Sequence, residues 1–208
     1  MRTIVLAGAI LLGVSSQLAL AVGDPAAGKT KATACGACHG PDGNSAAPTF
    51  PKLAGQGERY LTKQITDIKT KARVVPAMAG MVENLSEQDI ADIAADYSAQ
   101  TGSVNQAKKD TLAKGEQIFR GGIREKGIPA CSACHLPTGS GNALAGFPRL
   151  GGQHGDYIAT QLKGYRAAAD GDTSARANDG DAKPMRSIAA RLSDSEIAAL
   201  ANYISGLH

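Results

Sequence analysis

Two stretches of the chain decide its fold, Cys35-Gly-Ala-Cys38-His39 and Cys131-Ser-Ala-Cys134-His135, which lie 96 residues apart. After them, Phe50-Pro-Lys-Leu-Ala-Gly-Gln56 returns as Phe147-Pro-Arg-Leu-Gly-Gly-Gln153 at an offset of 97. The order of the matching segments is preserved along the chain. The sequence is therefore a tandem duplication, and each copy is expected to form the same structure.

Each copy is predicted to consist of helices joined by long loops. Asp24 followed by Pro25 is typical of a helix start, and Ser86 with Asp89 and Ser193 with Glu196 have the spacing of capping boxes. The last helix of each copy has an apolar face at helical spacing, formed by Ile90, Ile93, Ala94 and Tyr97 and by Ile197, Leu200, Ala201 and Ile204. No stretch shows the alternation of a strand, so the predicted fold class is all-α.

The duplication and the composition divide the chain into four parts. We predict a signal peptide at residues 1–21, an N-terminal domain at 22–101, a linker at 102–112 and a C-terminal domain at 113–208. Two segments of the second copy have no counterpart in the first, Gly121 to Pro129 and Ala167 to Asp181. Both are predicted to be surface loops.

Residues 1–21 have the pattern of a cleavable secretion signal, with Arg2, an apolar run and a final Ala19-Leu20-Ala21. The run is interrupted by glycine and serine and is short for a bilayer span, so an uncleaved anchor is the weaker interpretation. Without this segment the chain has 21 basic and 19 acidic residues. So small an excess of positive charge argues against a nucleic-acid partner.

The motif Cys-x-x-Cys-His predicts a covalently bound haem in each copy. On a helix or tight turn, two cysteines three apart and a histidine four after the first lie on one side. The thiols add to haem vinyl groups, and the imidazole binds iron. Because the chain has no Trp and only three Phe, the porphyrin would also complete a core that lacks large side chains. We expect two haem c groups, held by Cys35, Cys38, Cys131 and Cys134.

Three other uses of a Cys-x-x-Cys pair are less consistent with the sequence. Structural zinc needs four ligands, and neither copy has a second pair close by. A redox-active dithiol would be expected in a βαβ setting, which the pattern does not show. A disulfide within each motif remains the third alternative for an exported protein.

A methionine in each copy can supply the other axial ligand of the iron. Met78 and Met185 each stand seven residues before a paired leucine, whereas Met81 has no counterpart in the second copy. The repeat therefore favours Met78, with Met81 as the alternative. A thioether ligand favours ferrous iron and raises the reduction potential. The predicted iron ligands are His39 and Met78 in the first copy and His135 and Met185 in the second.

The remaining predictions about histidines concern hydrogen bonds. A ligating imidazole needs an acceptor for its other nitrogen, and we expect the carbonyl of Pro48 to serve His39. The aligned position in the second copy is Ala145. His154 is expected to face solvent in a loop, and His208 is the C-terminus.

These motifs, the segment Gly43-Asn-Ser-Ala-Ala-Pro-Thr-Phe-Pro-Lys-Leu-Ala-Gly-Gln56 and the two methionine segments resemble the dihaem cytochrome c4 family over the whole mature chain. The resemblance implies two class I cytochrome c domains related by a pseudo-twofold axis, with the haem propionates close together across the interface. One position departs from the family. Tyr203 lies where the family has an aromatic residue, but its partner in the first copy is Asp96, with Tyr97 one step later.

The same resemblance implies a periplasmic carrier of single electrons, often loosely associated with the inner membrane, that feeds terminal cytochrome oxidases. A bc1 complex or a blue copper protein is the expected donor, and no substrate chemistry is expected. Two alternatives are an electron-accepting dihaem subunit of a periplasmic dehydrogenase and a dihaem peroxidase. A peroxidase would need one iron with an open sixth position.

The charge differs between the two copies. Residues 22–101 carry eight basic and nine acidic residues, whereas residues 102–208 carry thirteen and ten. Such asymmetry can orient the molecule so that a donor meets one domain and an acceptor the other. Two ordinary solvated faces explain the same counts.

Overall fold

The computed structural model of the protein describes residues 22–208, so the predicted signal peptide at residues 1–21 lies outside the described part. Nine α-helices occur in that part: α1 (Pro25–Lys31), α2 (Gly36–His39), α3 (Glu58–Lys69), α4 (Glu87–Ala99), α5 (Leu112–Gly121), α6 (Ser132–His135), α7 (Gly155–Ala169), α8 (Pro184–Ala189) and α9 (Asp194–Ser205). Between residues 22 and 208 there is no β-strand, only two isolated β-bridges. The all-α prediction is confirmed.

The first copy is built on the packing of α1 against α4. Helix α1 begins as predicted, because the Asp24 side chain accepts a hydrogen bond from the Ala26 N–H and Pro25 occupies the first turn. Helix α4 begins with the predicted capping box of Ser86 and Asp89. The predicted apolar face of α4 is buried, and α3 packs against the same helix.

The second copy repeats this arrangement with α5, α7 and α9. Helix α9 begins with the predicted capping box of Ser193 and Glu196, and its predicted apolar face is buried. The additional helix α8 packs against α7 and carries Met185. In the first copy, Met78 instead ends a short 3-10 turn, Pro76–Met78.

The two segments without a counterpart in the first copy are only partly the surface loops that the sequence predicted. Within the first, Ile123 and Ile128 pair through backbone hydrogen bonds of 2.9 and 3.0 Å, and both side chains are buried. Within the second, Asn178 is buried, because it packs between the two domains. The prediction was wrong for these residues since insertion length alone does not show whether an added segment folds back.

The segment that joins α4 to α5 is hydrogen-bonded to both domains. The Ser103 N–H donates to Asn44 Oδ1 at 2.7 Å, and the Asn105 N–H donates to the Ser205 carbonyl at 3.2 Å. The connection is therefore held along the domain interface. The domain boundaries on either side of it stay predictions. No helix within residues 22–208 is long and apolar enough to cross a membrane.

Candidate haem-binding sites

Each Cys-x-x-Cys-His motif forms a single helical turn that gathers its three reactive side chains. The His39 N–H donates to the Cys35 carbonyl and the His135 N–H to the Cys131 carbonyl, both at 3.0 Å. This i to i+4 bond puts the histidine one turn after the first cysteine, on the same side of the helix. All four thiols are free. Those of Cys38 and Cys134 belong to exposed residues.

The two imidazoles are buried and held in the same way. Nδ1 of His39 lies 2.9 Å from the Pro51 carbonyl oxygen, and Nδ1 of His135 lies 3.0 Å from that of Pro148. A carbonyl only accepts, so each Nδ1 carries the proton and each Nε2 keeps its lone pair for a metal.

The predicted acceptor Pro48 was wrong. A turn in which the Phe50 N–H donates to the Ala47 carbonyl leaves Pro48 exposed and brings Pro51 to the histidine. The repeat contained the signal for the correct residues, because Pro51 and Pro148 are aligned at the offset of 97, whereas Pro48 is aligned with Ala145.

Burial determines the protonation state of the histidine and of the first cysteine in each motif. It lowers the pKa of His39 and of His135 below the usual value for histidine, against the opposing effect of the proline carbonyl. Both rings are therefore neutral at pH 7, as a metal ligand must be. Burial also raises the pKa of Cys35 and brings that of Cys131 to about 11, so both thiols stay protonated.

An aromatic ring packs edge-on beside each imidazole. Phe50 lies 6.3 Å from His39 between ring centroids, at an interplanar angle of 72°. Phe147 lies 6.2 Å from His135, at 62°. Because both phenylalanines begin the repeated Phe-Pro segment, one loop supplies both the ring and the carbonyl acceptor that orient each histidine.

The methionines differ in their surroundings. Met185 is partly buried against the same apolar cluster as Cys131. Met78 is partly buried, whereas Met81 is 50% exposed. The preference for Met78 over Met81 as an iron ligand stays a prediction, and the exposure of Met81 is consistent with it.

The residues present fit a covalently bound haem in each copy. Each site offers two free thiols, a neutral imidazole with a free Nε2 and a thioether, which together form the donor set of a c-type haem with His/Met ligation. Zinc is a poorer match, because no group of three or more His, Cys, Asp or Glu in residues 22–208 could hold a metal ion.

The two domains meet through a reciprocal glutamine contact that the sequence did not predict. Gln56 Oε1 accepts from the Arg149 N–H at 2.8 Å, and its Nε2 donates to the Arg149 carbonyl at 3.0 Å. Gln153 makes the equivalent pair with the N–H and carbonyl of Lys52, both at 2.9 Å. Such an exchange of equivalent contacts is the signature of a twofold relation.

His154 is part of this interface, so the prediction of a solvent-facing loop was wrong. Its Nε2 lies 2.9 Å from the carbonyl oxygen of Ser45, in the other domain. Burial lowers the pKa of His154. The residue directly precedes α7, and the contact with Ser45 leaves it partly buried at the domain interface.

Comparisons with known proteins agree with this geometry. A family model described as cytochrome c matches residues 25–95 and 112–208, one segment in each copy. The cytochrome c4 of Pseudomonas aeruginosa is 56% identical over 199 residues, which cover 96% of each chain. The crystal structure of reduced recombinant cytochrome c4 from Pseudomonas stutzeri has a TM-score of 0.86 at 52% identity, over 90% of this chain and 100% of that one.

A relative with a different name also covers most of the chain. The thiosulfate dehydrogenase electron acceptor of Thiomonas intermedia is 36% identical over 185 residues, which are 86% of this chain and 81% of that protein. This similarity extends over both copies of the repeat, because the matched segment is longer than either copy.

Proposed function

The chain belongs to the cytochrome c family, in its dihaem cytochrome c4 group, and on this premise we propose that it carries single electrons in a periplasmic respiratory chain. It is an electron-transfer protein, not an enzyme, and it binds two haem c groups. The observation that carries the proposal is the duplicated site, in which each buried histidine is oriented by a proline carbonyl and each Cys-x-x-Cys-His turn keeps its thiols free.

The side chains have separate roles in this proposal. Cys35 and Cys38 hold one haem by thioether bonds, and Cys131 and Cys134 hold the other. His39 and Met78 bind the first iron, and His135 and Met185 bind the second. When bound, each haem supplies a one-electron couple at its iron.

The histidines are built to remain in place during electron transfer. The Pro51 carbonyl fixes the His39 ring by accepting from Nδ1, and Phe50 limits rotation of the ring from one side. Pro148 and Phe147 do the same for His135. With Met78 and Met185 as the second protein ligands, each bound haem iron would have no position open to a substrate, so the haem would supply electron transfer alone.

The interface supports passage of electrons between the two domains. The reciprocal contacts of Gln56 and Gln153 involve backbone groups next to Pro51 and Pro148, the residues that orient the histidines. The two sites are therefore joined by short hydrogen-bonded segments. A fixed relation between the sites keeps the tunnelling distance constant.

The predicted partners are a bc1 complex or a blue copper protein as donor and a terminal cytochrome oxidase as acceptor. Export by the predicted signal at residues 1–21 would place the protein in the periplasm, with peripheral association at the inner membrane. Residues 22–101 carry one more acidic than basic residue, and residues 102–208 carry three more basic than acidic residues. This asymmetry supports separate docking faces.

A second candidate is an electron acceptor of a periplasmic dehydrogenase. The similarity to a protein named as the electron acceptor of thiosulfate dehydrogenase favours it. Both candidates need the same two haem sites, so they differ in the partner and not in the chemistry of the chain. Co-purification with a dehydrogenase at fixed stoichiometry would support this candidate over a freely diffusing carrier.

A redox titration of the holoprotein tests the proposal. We expect two low-spin haems with positive potentials, each with the weak red absorption band of methionine sulfur on ferric haem. Loss of the band at one haem is expected in Met78→Ala and in Met185→Ala. Met81→Ala is the matched control and should keep both bands.

Two outcomes would contradict the assignment. A high-spin haem that reacts with peroxide in the unmodified protein would support the dihaem peroxidase. Loss of a band in Met81→Ala with retention in Met78→Ala would exchange the two methionines and leave the carrier function intact.

A further inference from the structure

The two segments that have no counterpart in the first copy, residues 121–129 and 167–181, both contact the helix that carries Met185. We call them the first insertion and the second insertion. Helix α8 spans only six residues, Pro184–Ala189. A helix this short is not stable in isolation and depends on contacts with the rest of the protein. Each insertion supplies such a contact through one arginine of the methionine segment.

Arg191 joins the first insertion to the end of α8. Its Nη1 donates to the carbonyl oxygens of Lys126 and Gly127, at 3.0 and 2.8 Å. Its Nε donates to the Ser187 carbonyl at 2.9 Å. The last carbonyl groups of a helix have no partner within the helix, and a cation is favoured at this end. One guanidinium therefore ties the end of α8 to the turn of the first insertion.

The first insertion is itself anchored at two places. Ile123 and Ile128 are buried in the apolar cluster of the second domain. Lys126 Nζ lies 2.7 Å from Glu196 Oε2, and Glu196 belongs to the capping box of α9. The carbonyl groups that bind Arg191 therefore come from a segment with a fixed position.

Arg186, the residue directly after Met185, joins α8 to the second insertion. Its backbone N–H donates to Asp179 Oδ2 at 2.9 Å, and its Nε donates to Asp179 Oδ1. Its Nη2 donates to the Gly180 carbonyl at 3.0 Å. The Asp179 side chain is only 3% exposed, so removing one partner of this ion pair leaves the other charge uncompensated. Helix α8 is therefore held near its start by one insertion and at its end by the other.

The methionine segment of the first copy lacks both contacts. At the offset of 107 that relates the two methionines, Arg186 and Arg191 correspond to Ala79 and Asn84. Met78 ends a short 3-10 turn, and the three residues that follow it are exposed. An exposed turn opens more readily than a helix that is fixed at both ends.

We propose that the two insertions form a clamp on α8 that keeps Met185 bound to the second iron, whereas Met78 is displaced more readily by a small neutral ligand. Arg186 and Arg191 are positioning residues in this clamp, because each acts on the methionine through α8. The proposal rests on the proposed function, because it needs both methionines as iron ligands. Its consequence for the carrier is that the second site keeps one ligand set under conditions that change the first.

Displacement of methionine from the ferric holoprotein by neutral imidazole measures the clamp. The red absorption band of methionine sulfur on ferric haem disappears when imidazole replaces the sulfur. In the unmodified protein we expect the band to be lost in two equal phases. Their rates should differ by at least about tenfold, which is the effect of one hydrogen bond to a charged group. Met78→Ala should abolish the fast phase, and Met185→Ala should abolish the slow phase.

Arg191→Gln removes the tie to the first insertion. The slow phase is expected to become about tenfold faster, while the fast phase keeps its rate. Asp179→Asn breaks the ion pair from the side of the second insertion and is expected to act in the same direction. Arg124→Gln, at an exposed position of the first insertion, is the matched control and should leave both rates unchanged.

Hydrogen exchange separates a clamp on α8 from a general loss of stability. Arg191→Gln should speed the exchange of amides in α8 and leave those of α5 and α9 as protected as before. Faster exchange in all three helices would show that the arginine only stabilises the domain, and the proposal would fail. Equal displacement rates for the two methionines of the unmodified protein, or an unchanged slow phase in Arg191→Gln, would also overturn it.

The test does not depend on a single variant. If Arg191→Gln does not fold, Asp179→Asn makes the same measurement from the second insertion. Redox titration gives the separate answer on function: two low-spin couples in the unmodified protein support the carrier even when both methionines are displaced at one rate. Absence of the methionine band from the unmodified protein would instead contradict the proposed function, and the clamp would fall with it.

Discussion

In both domains the first helix crosses the last helix with the two backbones in close contact at a glycine. A β-carbon on Gly28 of α1 would lie 2.0 Å from the Asp92 carbonyl oxygen of α4. A β-carbon on Gly115 of α5 would lie 2.2 Å from the Ala199 carbonyl oxygen of α9. Both crossings therefore require glycine, because any side chain would overlap the facing helix.

The side chains beside this crossing differ between the domains. In the second domain the rings of Phe119 and Tyr203 pack beside the crossing, with ring centroids 5.5 Å apart. The first domain has Ala32 and Asp96 in the same places. A cavity of about 270 Å³ opens there, and it is lined by Lys29, Ala32, Thr33, Gly36, Gly40, Pro41, Asp96, Tyr97 and Gln100.

The apolar clusters of the two domains also differ in size. Thirteen buried residues form the cluster of the second domain, and five form that of the first. The first domain instead joins α1 to α4 by ion pairs from Lys31 to Asp89 and Asp92. The two copies therefore share the close backbone crossing but differ in the side chains that pack beside it. Because the first domain has the smaller apolar cluster, we expect its stability to depend more on its haem.

Phe119→Ala tests the aromatic packing beside the crossing of α5 and α9, and it should have the largest effect on stability. The side chain is fully buried, so its removal is expected to destabilise the second domain by about 3–5 kcal/mol. Guanidinium unfolding of the holoprotein, with hydrogen exchange read separately for α1 and α5, measures the loss in each domain. Leu144→Ala, at an 88% exposed position of the same domain, is the control. A loss under about 1 kcal/mol would show that the crossing does not depend on this ring.

Gly28→Ala and Gly115→Ala test the feature that the domains share. Each added methyl group would overlap a backbone carbonyl, so each variant should lose about 1–3 kcal/mol in its own domain. Thermal unfolding measures the loss. Gly121→Ala adds the same methyl group where nothing lies within 4 Å and should not destabilise. Unequal losses in Gly28→Ala and Gly115→Ala would contradict the common crossing.

Asp96→Tyr would make the first crossing resemble the second. A ring in the cavity beside Ala32 is expected to stabilise the first domain by about 0.5–2 kcal/mol, as cavity filling commonly does. Calorimetry of the holoprotein measures the gain, and Asp96→Asn separates it from loss of the charge. Destabilisation by Asp96→Tyr alone would show that the cavity cannot accept a ring.

The ion pairs of the first domain predict a small effect at low pH. The Asp24 N–H, Lys31 and Gln88 hold the pKa of Asp92 at about 2, below its ordinary value of 3.8. A carboxyl with a lowered pKa contributes stability above its unfolded value, and this is lost as pH falls toward 2. Asp92→Asn should therefore flatten the pH dependence of the first domain from about pH 4 to about pH 2. Calorimetry across this range checks it, and an unchanged slope would contradict it.

Local features of the fold and the site were predictable from the sequence. The capping boxes at Ser86 and Ser193 and the one-sided grouping in each Cys-x-x-Cys-His turn depend on residues within four positions of each other. The histidine acceptor was placed three residues too early, at Pro48 instead of Pro51. A turn between Ala47 and Phe50 decided that point. Aligning the two copies, which share Pro51 and Pro148, would have corrected it.

The sequence alone determined the duplication, the all-α class and the donor types at each site, because these depend on spacing within one turn of helix or on direct comparison of the copies. Only the tertiary structure decided which residues face the other domain. Gln56, Arg73, Gln153 and Arg176 find partners 84 to 116 residues away. Such contacts form when two folded surfaces dock, and no local periodicity or motif encodes the match between them.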